Sequence, residues 1–534
     1  MRSWIGAATL AAVATAGIAG YVISPRFGAF SEPSLIDDWH SMYSSVTALR
    51  QLESFSYNPA LFDAGRYRPA FYAIWDYLQW HTLGAPYSMA GPNAWNVVRI
   101  CALALALTLV VACGLRSEQR ARLGLVSVGL LAAVPGALIF STAPLGVDLA
   151  RFGPQEPLLV AGLGLGGLAL LLAAWLVVVR QARPALVAPL VVGGFLVWCF
   201  GVYMKEASVC VLVLAPFLGL ELRARWGPLA CSPRQRAALA GIALLALAPI
   251  VQLIVEVERF TSQPTLFYGS ASPHGLSQWI SRLGSSITQQ WNAIPTVFGQ
   301  ALWQGLAMAL PPLLLAVWLK TRRAQWLALG LIVLGWTLLA FQGVSEVVVS
   351  RYYIPVFACF AIALVILLAE LPGTLRWASI AAAAVLAFNG IPDGHQAVQG
   401  WVSGEVADQQ LVFATAALNP RRCPVYYANF DPERHDSLPI ILALRKPTTT
   451  PCLSSQAALV ILGGPTLPTA GALPIVAACA APGWQPREAA GAGTIYSCPH
   501  LEHGRVALGN GTFQSAPLIL ASDRLVVPKR AWTG

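Results

Sequence analysis

Long apolar stretches separated by short polar connections dominate the pattern along this chain. Eleven of these stretches are predicted as membrane spans, for which a helix needs about 17 or more predominantly apolar residues, although the sixth and the eleventh are short. Their approximate limits are 5–24, 97–115, 123–141, 158–179, 185–203, 207–221, 237–255, 299–319, 325–343, 352–371 and 377–391. The pattern predicts an α-helical polytopic membrane protein with about eleven transmembrane helices, and a lipid bilayer as its surroundings.

The short connections predict how these helices are oriented. Alternate connections are brief and rich in arginine, at 116–122, 180–183, 223–236, 320–323 and around Arg376. The connections between them carry isolated cations, namely Arg151, Lys205 and Arg351. Because cytoplasmic loops are enriched in Lys and Arg, we expect a cytoplasmic N-terminus and an extracytoplasmic C-terminus. The first stretch, which follows Arg2, has a cleaved signal peptide as its alternative interpretation.

Composition supports the membrane class and speaks against a nucleic-acid partner. The 534 residues are 56% hydrophobic and 11% charged, whereas about 25% of the residues of soluble domains are charged. The net charge of +10 comes largely from short arginine clusters between apolar stretches, with no basic run or nucleic-acid motif. The high Ala, Gly and Arg content suggests a bacterial source, and hence the inner (plasma) membrane.

The first extracytoplasmic loop, about 25–96, is long and rich in aromatic residues. Within it, 41–55 has the apolar spacing of an amphipathic helix. The segment 69–84 predicts a second helix, dense in the aromatic residues that favour the lipid headgroup region. A later extracytoplasmic loop contains 275–291, which predicts a third interfacial helix.

The tail after the last apolar stretch predicts a separate extracytoplasmic domain. Residues 425–430 and 457–464 predict strands on either side of a helix near 433–445, which favours a small α/β fold. The domains are therefore expected at 1–392 and 393–534. Four cysteines fall in the tail, and an even number in an oxidising compartment indicates disulfides. We favour Cys423–Cys452 and Cys479–Cys498 among the three pairings, over a zinc site, since no CxxC spacing is present.

Charged residues recur beside the membrane on the extracytoplasmic side. They lie at 37–38, 65–69, 148–157, 203–208, 256–260 and 345–355. Charges in or near membrane spans are energetically unfavourable and usually functional. Any one of them has a snorkelling side chain or an interhelical ion pair as its simpler explanation. The whole set, gathered on one side, predicts a polar site.

Five short segments of this set resemble the C-type (GT-C) membrane glycosyltransferases. They are "IDDW" (36–39), "RYRPAF" (66–71), "RFGPQEP" (151–157), "MKEAS" (204–208) and "SRYYIP" (350–355), and the resemblance covers about 1–391. It implies transfer of a sugar from a polyprenyl-phosphate donor to an extracytoplasmic glycan, lipid or protein acceptor. No WWDYG-like segment is present, which disfavours an oligosaccharyltransferase. A polyprenyl-linked glycan transporter or flippase, and a glycan polymerase or ligase, remain as alternatives.

The chemistry of such a transfer suggests roles for the charged residues. A carboxylate can take the proton of the acceptor hydroxyl, and the resemblance narrowly favours Asp37 over Asp38 as this base. Asp38 then orients the acceptor, binds a metal or caps a helix. Cations hold the charge of the leaving phosphate, and the candidates are Lys205, Arg351 and Arg151, followed by Arg66 and Arg68. The candidate substrate-binding residues are Glu156, Glu206, Trp39, His40 and Tyr352.

Two pairings and one cofactor question follow from these roles. We expect Glu206 to pair with or orient its neighbour Lys205. Glu156 is expected to hold substrate hydroxyls, with an ion pair to Arg151 as the structural alternative. No cofactor is certain, and a divalent metal remains open although the sequence has no DxD motif.

Overall fold

The computed structural model of the chain describes most of the apolar part and four strands of the tail. The described residues are 2–29, 68–83, 89–182, 184–226, 232–261, 276–299, 302–343, 349–371, 373–416, 425–428, 457–462, 485–490 and 493–498. Five candidate site residues, Asp37, Asp38, Trp39, His40 and Arg66, lie outside these ranges, as do the helices predicted at 41–55 and 433–445.

Apolar helices account for most of the described chain. They are α1 (Arg2–Ile23), α2 (Asp76–His81), α3 (Ala90–Gly114), α4 (Ser117–Phe140), α5 (Ala143–Ala150), α6 (Glu156–Val178), α7 (Pro184–Val202), α8 (Leu214–Trp226), α9 (Pro233–Thr261), α10 (Leu276–Phe298), α11 (Leu302–Thr321), α12 (Trp326–Gly343), α13 (Tyr353–Leu368) and α14 (Gly373–Ala416). Short 3₁₀ helices lie at Ser24–Arg26, Glu206–Val213 and Ser350–Tyr352, and a π-helix lies at Ala70–Trp75.

The lengths of these helices make the chain a multi-pass membrane protein. Nine helical segments in the described part of the chain are long and apolar enough to cross a membrane. The spans predicted at 185–203 and 325–343 coincide with α7 and α12, whose apolar parts are shorter. The helical membrane fold is therefore confirmed, while the count of eleven crossings stays a prediction.

The core of the bundle is α13, nearly all of whose residues are buried. Its neighbours include α4, α11 and α12. Trp303 of α11 stacks on Phe357 of α13 with ring centroids 3.9 Å apart. Because the Ser350–Tyr352 turn leads directly into this helix, the central packing also fixes where that turn lies.

Small residues bring α6 and α7 into backbone contact. A Cβ atom on Gly162 would lie 2.5 Å from the Cα of Gly201, and one on Gly194 would lie 2.8 Å from the Cβ of Ala169. Small residues at such contacts let membrane helices approach closely. The pairs show that α6 and α7 run antiparallel, which brings the end of α7 beside the start of α6.

One polar cluster joins helix ends at the basic connections. We name it the Glu221 cluster, and it consists of Glu118, Glu221, Glu370, Arg116, Arg122, Arg225 and Arg323. Arg116 and Arg225 place their Nε atoms 3.2 Å and 2.8 Å from Oε1 of Glu221. The structure thus gathers three of the basic connections that the sequence assigns to one membrane side.

The two predicted interfacial helices with described residues are present. The first consists of the π-helix and α2, but its rings Phe71, Trp75 and Trp80 are buried in the protein and not at a headgroup surface. Trp75 packs edge to face on Trp95 of α3, with centroids 5.4 Å apart. The second is α10, where Trp291 stacks on Trp336 of α12.

The tail begins with a helix and continues into a sheet. The boundary expected at 392/393 falls inside α14, which is 44 residues long and contains Pro392. The strands are β1 (Val425–Ala428), β2 (Ala457–Leu462), β3 (Gln485–Ala490) and β4 (Gly493–Cys498), in the order β1-β2-β4-β3. β1 and β2 are parallel, as expected for a strand–helix–strand unit, and the other two pairs are antiparallel.

The extracytoplasmic α/β domain and its disulfides stay predictions. Three of the four tail cysteines, Cys423, Cys452 and Cys479, lie outside the described residues, and Cys498 ends β4.

Candidate functional site

A second polar cluster forms where four segments that are distant in the sequence meet. We name it the Lys205 cluster, and it consists of Arg68, Asp148, Arg151, Glu156, Lys205, Glu206, Ser350, Arg351 and Tyr352. These residues lie before the π-helix, at the end of α5, at the start of α6, after α7 and before α13. The structure therefore brings together every candidate site residue that it describes.

Lys205 is the buried centre of this cluster. Its Nζ atom donates a hydrogen bond to Oε1 of Glu156, and the two residues are 6% and 2% exposed. The same Nζ lies 3.4 Å from the centroid of the Tyr352 ring, a cation–π distance. A buried ammonium requires such partners. The expected pairing of Lys205 with Glu206 is wrong, because successive residues direct their side chains differently.

Glu206 pairs instead with Arg68. The Nε of Arg68 lies 3.0 Å and 2.9 Å from the two carboxylate oxygens, and its Nη2 lies 2.9 Å from Oε2. Such a fork is among the strongest ion-pair geometries. Burial alone would lower the pKa of Arg68, but the Glu206 carboxylate raises it above its usual value. Arg68 therefore remains a cation and ties the first loop to the segment after Lys205.

Asp148 connects two more segments. Arg151 Nη1 lies 3.3 Å from Oδ1 of Asp148, and Ser350 Oγ donates to Oδ2 at 2.5 Å. Burial raises the pKa of Asp148 to about 6, although Arg151 and the Ser350 hydrogen bond oppose the shift. Arg151 thus pairs with Asp148 and not with Glu156, the alternative expected from the sequence. Asp148 and Ser350 were missed as site residues, although both lie in segments that the charge pattern selected.

Arg99 supports the cluster through the backbone. It lies in α3, is 1% exposed, and donates to the carbonyls of Leu149, Phe152 and Pro154 at 3.0, 3.3 and 2.7 Å. It also donates to the carbonyl of Arg151. These bonds hold the connection between α5 and α6, so Arg99 is structural, as its isolated position in the sequence suggests.

The charges of the Lys205 cluster suit an anionic ligand. Among the described residues it contains four cations, Arg68, Arg151, Lys205 and Arg351, together with three carboxylates. Oε2 of Glu156 is buried without a hydrogen-bond partner among the described residues. A buried oxygen of this kind is a free acceptor for a ligand hydroxyl. The arrangement can therefore neutralise a phosphate and accept a hydrogen bond beside it.

A resident metal has no support from the described part of the site. Among the described residues, no group of three or more His, Cys, Asp or Glu side chains is placed to hold a metal ion. Each carboxylate of the Lys205 cluster instead contacts a cation. Asp38, for which the sequence leaves a metal-binding role open, lies outside the described ranges.

Comparison with known proteins finds a similarity of structure but not of sequence. No family model matches the chain, and no curated protein matches its sequence. The structure is similar to two crystal structures of ArnT from Cupriavidus metallidurans, one bound to undecaprenyl phosphate and one in the apo state. For each, the TM-score is 0.46 at 13% identity, over 90% of this chain and 97% of the other.

ArnT is a GT-C polyprenyl-phosphate-sugar glycosyltransferase, a member of the family that the sequence resembles. A similarity of this size does not transfer an activity or a ligand.

Proposed function

We propose that this chain is a membrane glycosyltransferase that transfers a sugar from a polyprenyl-phosphate donor to an extracytoplasmic glycan, lipid or protein acceptor. The observation that carries the proposal is the Lys205 cluster, a largely buried group in which four cations and three carboxylates of the described residues meet at the ends of apolar helices. A lipid with a phosphate head places its chain in the bilayer and its charge at such a point. The expected location is the extracytoplasmic face of a bacterial inner membrane.

The cations of the Lys205 cluster can stabilise the phosphate that leaves when the sugar is transferred. When the sugar–phosphate bond breaks, negative charge develops on the lipid phosphate, and fixed cations lower the barrier by stabilising it. Lys205 is the central candidate, and Arg351 lies 5.5 Å from the same Tyr352 ring that Lys205 contacts. Arg151 is a third candidate, whereas Arg68 is already engaged by Glu206. Arg66 stays a candidate from the sequence alone.

The carboxylates divide into base and binding roles. Glu156 accepts from Lys205 with one oxygen and has its second oxygen available for a sugar or acceptor hydroxyl. Tyr352 contributes the ring beside Lys205. Trp39, His40 and the Asp37 base remain proposals from the sequence. We expect Asp37→Asn to abolish transfer without changing expression. Retained activity in this variant together with loss in Asp38→Asn would move the base by one residue.

Binding of the lipid phosphate tests the function. Purified protein in detergent micelles should bind undecaprenyl phosphate saturably, and should bind the phosphate-free polyprenol much more weakly. With a sugar-loaded donor, the protein should release polyprenyl phosphate in the presence of an acceptor. Equal binding of phosphate and alcohol would contradict the proposal. Movement of the lipid between leaflets of a vesicle without sugar release would identify a transporter instead.

A further inference from the structure

Asp148 is a buried carboxylate that has no direct role in donor binding or in proton transfer. It is an anion, so it cannot hold a phosphate, and both of its oxygens already accept hydrogen bonds. It is 1% exposed and lies in α5, a helix of eight residues between two membrane spans. A carboxylate buried to this extent is unfavourable in its ionised form unless partners compensate its charge.

We infer that Asp148 is a positioning residue that holds the phosphate-binding cations in place by anchoring the Ser350–Tyr352 turn and Arg151 to one carboxylate. This inference rests on the proposed function, since it concerns where the same phosphate would bind.

The first contact of Asp148 fixes the turn. Ser350 Oγ donates to Oδ2 at 2.5 Å, and Ser350 is the first residue of the 3₁₀ turn that continues with Arg351 and Tyr352. A hydroxyl bonded to a charged oxygen forms a stronger hydrogen bond than one between neutral groups. The bond therefore places Arg351, and it holds the Tyr352 ring 3.4 Å from Nζ of Lys205.

The second contact fixes another cation. Arg151 Nη1 lies 3.3 Å from Oδ1 of Asp148, three residues earlier in the chain. The connection that follows is held by Arg99 through backbone carbonyls. Two candidate phosphate ligands, Arg151 and Arg351, thus come from segments about 200 residues apart and share one anchor. Losing the carboxylate would release both.

Four variants test the inference by their dissociation constants for undecaprenyl phosphate in detergent micelles. We expect Asp148→Asn and Ser350→Ala to weaken binding about 10-fold, the loss expected for one hydrogen bond to a charged group. Ser350→Thr keeps the hydroxyl and should restore most of the affinity. The matched control is Ser141→Ala, which removes a buried hydroxyl that donates to the Leu138 carbonyl. It should bind like the wild type.

Melting temperature of the ligand-free protein separates positioning from a structural role. Ser350→Ala removes one hydroxyl at a half-buried position and should melt close to the wild type. Wild-type affinity in Ser350→Ala would overturn the inference. The inference would also be overturned if Ser350→Ala lowered both the affinity and the melting temperature, and Ser350→Thr still had the lowered melting temperature. If Asp148→Asn does not fold, the serine variants still decide. If the wild type itself does not distinguish undecaprenyl phosphate from polyprenol, the proposed function fails, and not only the role of Asp148.

Discussion

The ion pair between Lys205 and Glu156 determines how the central cation of the site can be tested. Both residues are buried, and removing one partner leaves the other as an uncompensated charge. Breaking a buried pair in this way costs about 3–5 kcal/mol of stability. A simple Lys205→Ala variant would therefore combine a folding defect with any loss of phosphate binding.

We expect a double variant, Lys205→Met with Glu156→Gln, to separate the two effects. Replacing both charges by uncharged side chains of similar size leaves no uncompensated charge, so melting should stay closer to the wild type than in Lys205→Ala. Binding of undecaprenyl phosphate should fall at least about 10-fold, because the buried ammonium is lost. Lys205→Arg should rescue binding only in part, since a planar fork replaces a compact charge.

Glu156→Gln alone shows how much of the affinity loss comes from the carboxylate, and because it leaves the buried Lys205 without its ion-pair partner, its melting temperature should fall below that of the double variant. If the double variant binds the lipid phosphate as tightly as the wild type, Lys205 is a structural residue. Melting and affinity have to be measured on the same preparations.

Asp148 predicts an opposite pH dependence of stability and binding. Burial raises its pKa to about 6, above the ordinary value of 3.8. The folded state thus holds the proton more tightly than the unfolded state, so the contribution of Asp148 to stability is present below about pH 4 and is lost as pH rises through about 6. The ionised form is the one that pairs with Arg151. Lipid-phosphate affinity should therefore fall as pH drops below about 6.

The comparison variant for this pH effect is Asp148→Asn. A phosphate monoester has its own pKa near 6, so only the difference between wild type and variant reports on Asp148. The charged groups that act on Asp148 are Arg151, Glu156 and Arg99, with the Ser350 hydroxyl as hydrogen-bond donor. If the wild type and Asp148→Asn differ in lipid-phosphate affinity by the same factor at pH 5 and at pH 7, the pH dependence does not come from Asp148.

At the scale of single residues, the sequence could identify the charged segments of the site but not which charged side chains pair with each other. Lys205 and Glu206 are adjacent, and adjacent side chains rarely contact each other. Their actual partners, Glu156 and Arg68, are 49 and 138 positions away. The spacing of Asp148 and Arg151, three residues apart next to a helix end, was the one pairing that the sequence could have indicated.

Among the elements, the contact between α6 and α7 has the most direct effect on the site. Gly201 faces α6 so closely that a Cβ atom would lie 2.6 Å from the backbone nitrogen of Leu163. Four residues later the chain reaches Lys205, whose partner Glu156 begins α6. The distance between these helices therefore sets the geometry of the central ion pair.

We expect Gly201→Ala to push the two helices apart and to destabilise the protein by about 1–3 kcal/mol, as overpacking usually does. Gly193→Ala on the same helix is the matched control, because nothing lies within 4 Å of its added Cβ atom. That control should be neutral or gain roughly 0.5–1 kcal/mol, the usual benefit of alanine over glycine in a helix. Melting temperatures in one detergent compare the two. Equal melting temperatures of Gly201→Ala and Gly193→Ala would show that separating α6 from α7 does not affect stability.

The sequence predicted the apolar helices well but not where the last one ends. Hydrophobic composition changes near 392, yet α14 continues to Ala416. Composition marks where a helix leaves the bilayer, whereas a helix ends only where its backbone hydrogen bonding stops. The aromatic helix at 70–81 was likewise found, but burial of its rings depends on partners such as Trp95 that only the fold brings near.

For the whole molecule, the short helices α7 and α12 decide the number of crossings. α7 lies antiparallel to α6, as the contacts of Gly201 with Gly162 and of Gly194 with Ala169 show. α12 lies antiparallel to α13, because Gln325 bonds Glu370 at one end and Gly335 meets Phe360 further along. Each short helix thus accompanies a longer span over most of its length. We therefore expect both to cross the bilayer, which gives the eleven spans predicted from the sequence.

The position of the tail follows from the length of α14. Its 44 residues measure about 66 Å at 1.5 Å per residue, roughly twice the thickness of the hydrocarbon core. The helix starts beyond Glu370 of the Glu221 cluster. Gly390 then packs on Ser141, and Trp401 lies 5.3 Å from the guanidinium of Arg26, whose other ring partner is Phe152 in the connection after α5. α14 therefore reaches the level of the Lys205 cluster with at least fifteen residues left.

Reporter fusions should accordingly place the tail on the same side of the membrane as the Lys205 cluster and opposite the Glu221 cluster. Alkaline phosphatase, active only outside the cytoplasm, should be active after Ala416 and after Gly534, and inactive after Gln181 or Arg322 in the basic connections. A fluorescent protein that folds only in the cytoplasm should give the reverse pattern at the same four positions. Nine and eleven crossings both put the tail outside the cytoplasm, because each is odd, whereas ten would put it inside. The fusion after Arg322 separates nine from eleven, because Arg322 would lie outside the cytoplasm if neither α7 nor α12 crossed. An inactive phosphatase at both tail positions would mean that either α7 or α12 fails to cross. An active phosphatase after Arg322 in the same series would identify α7 as that helix, and the assignment of Lys205 to the extracytoplasmic face would then have to be revised.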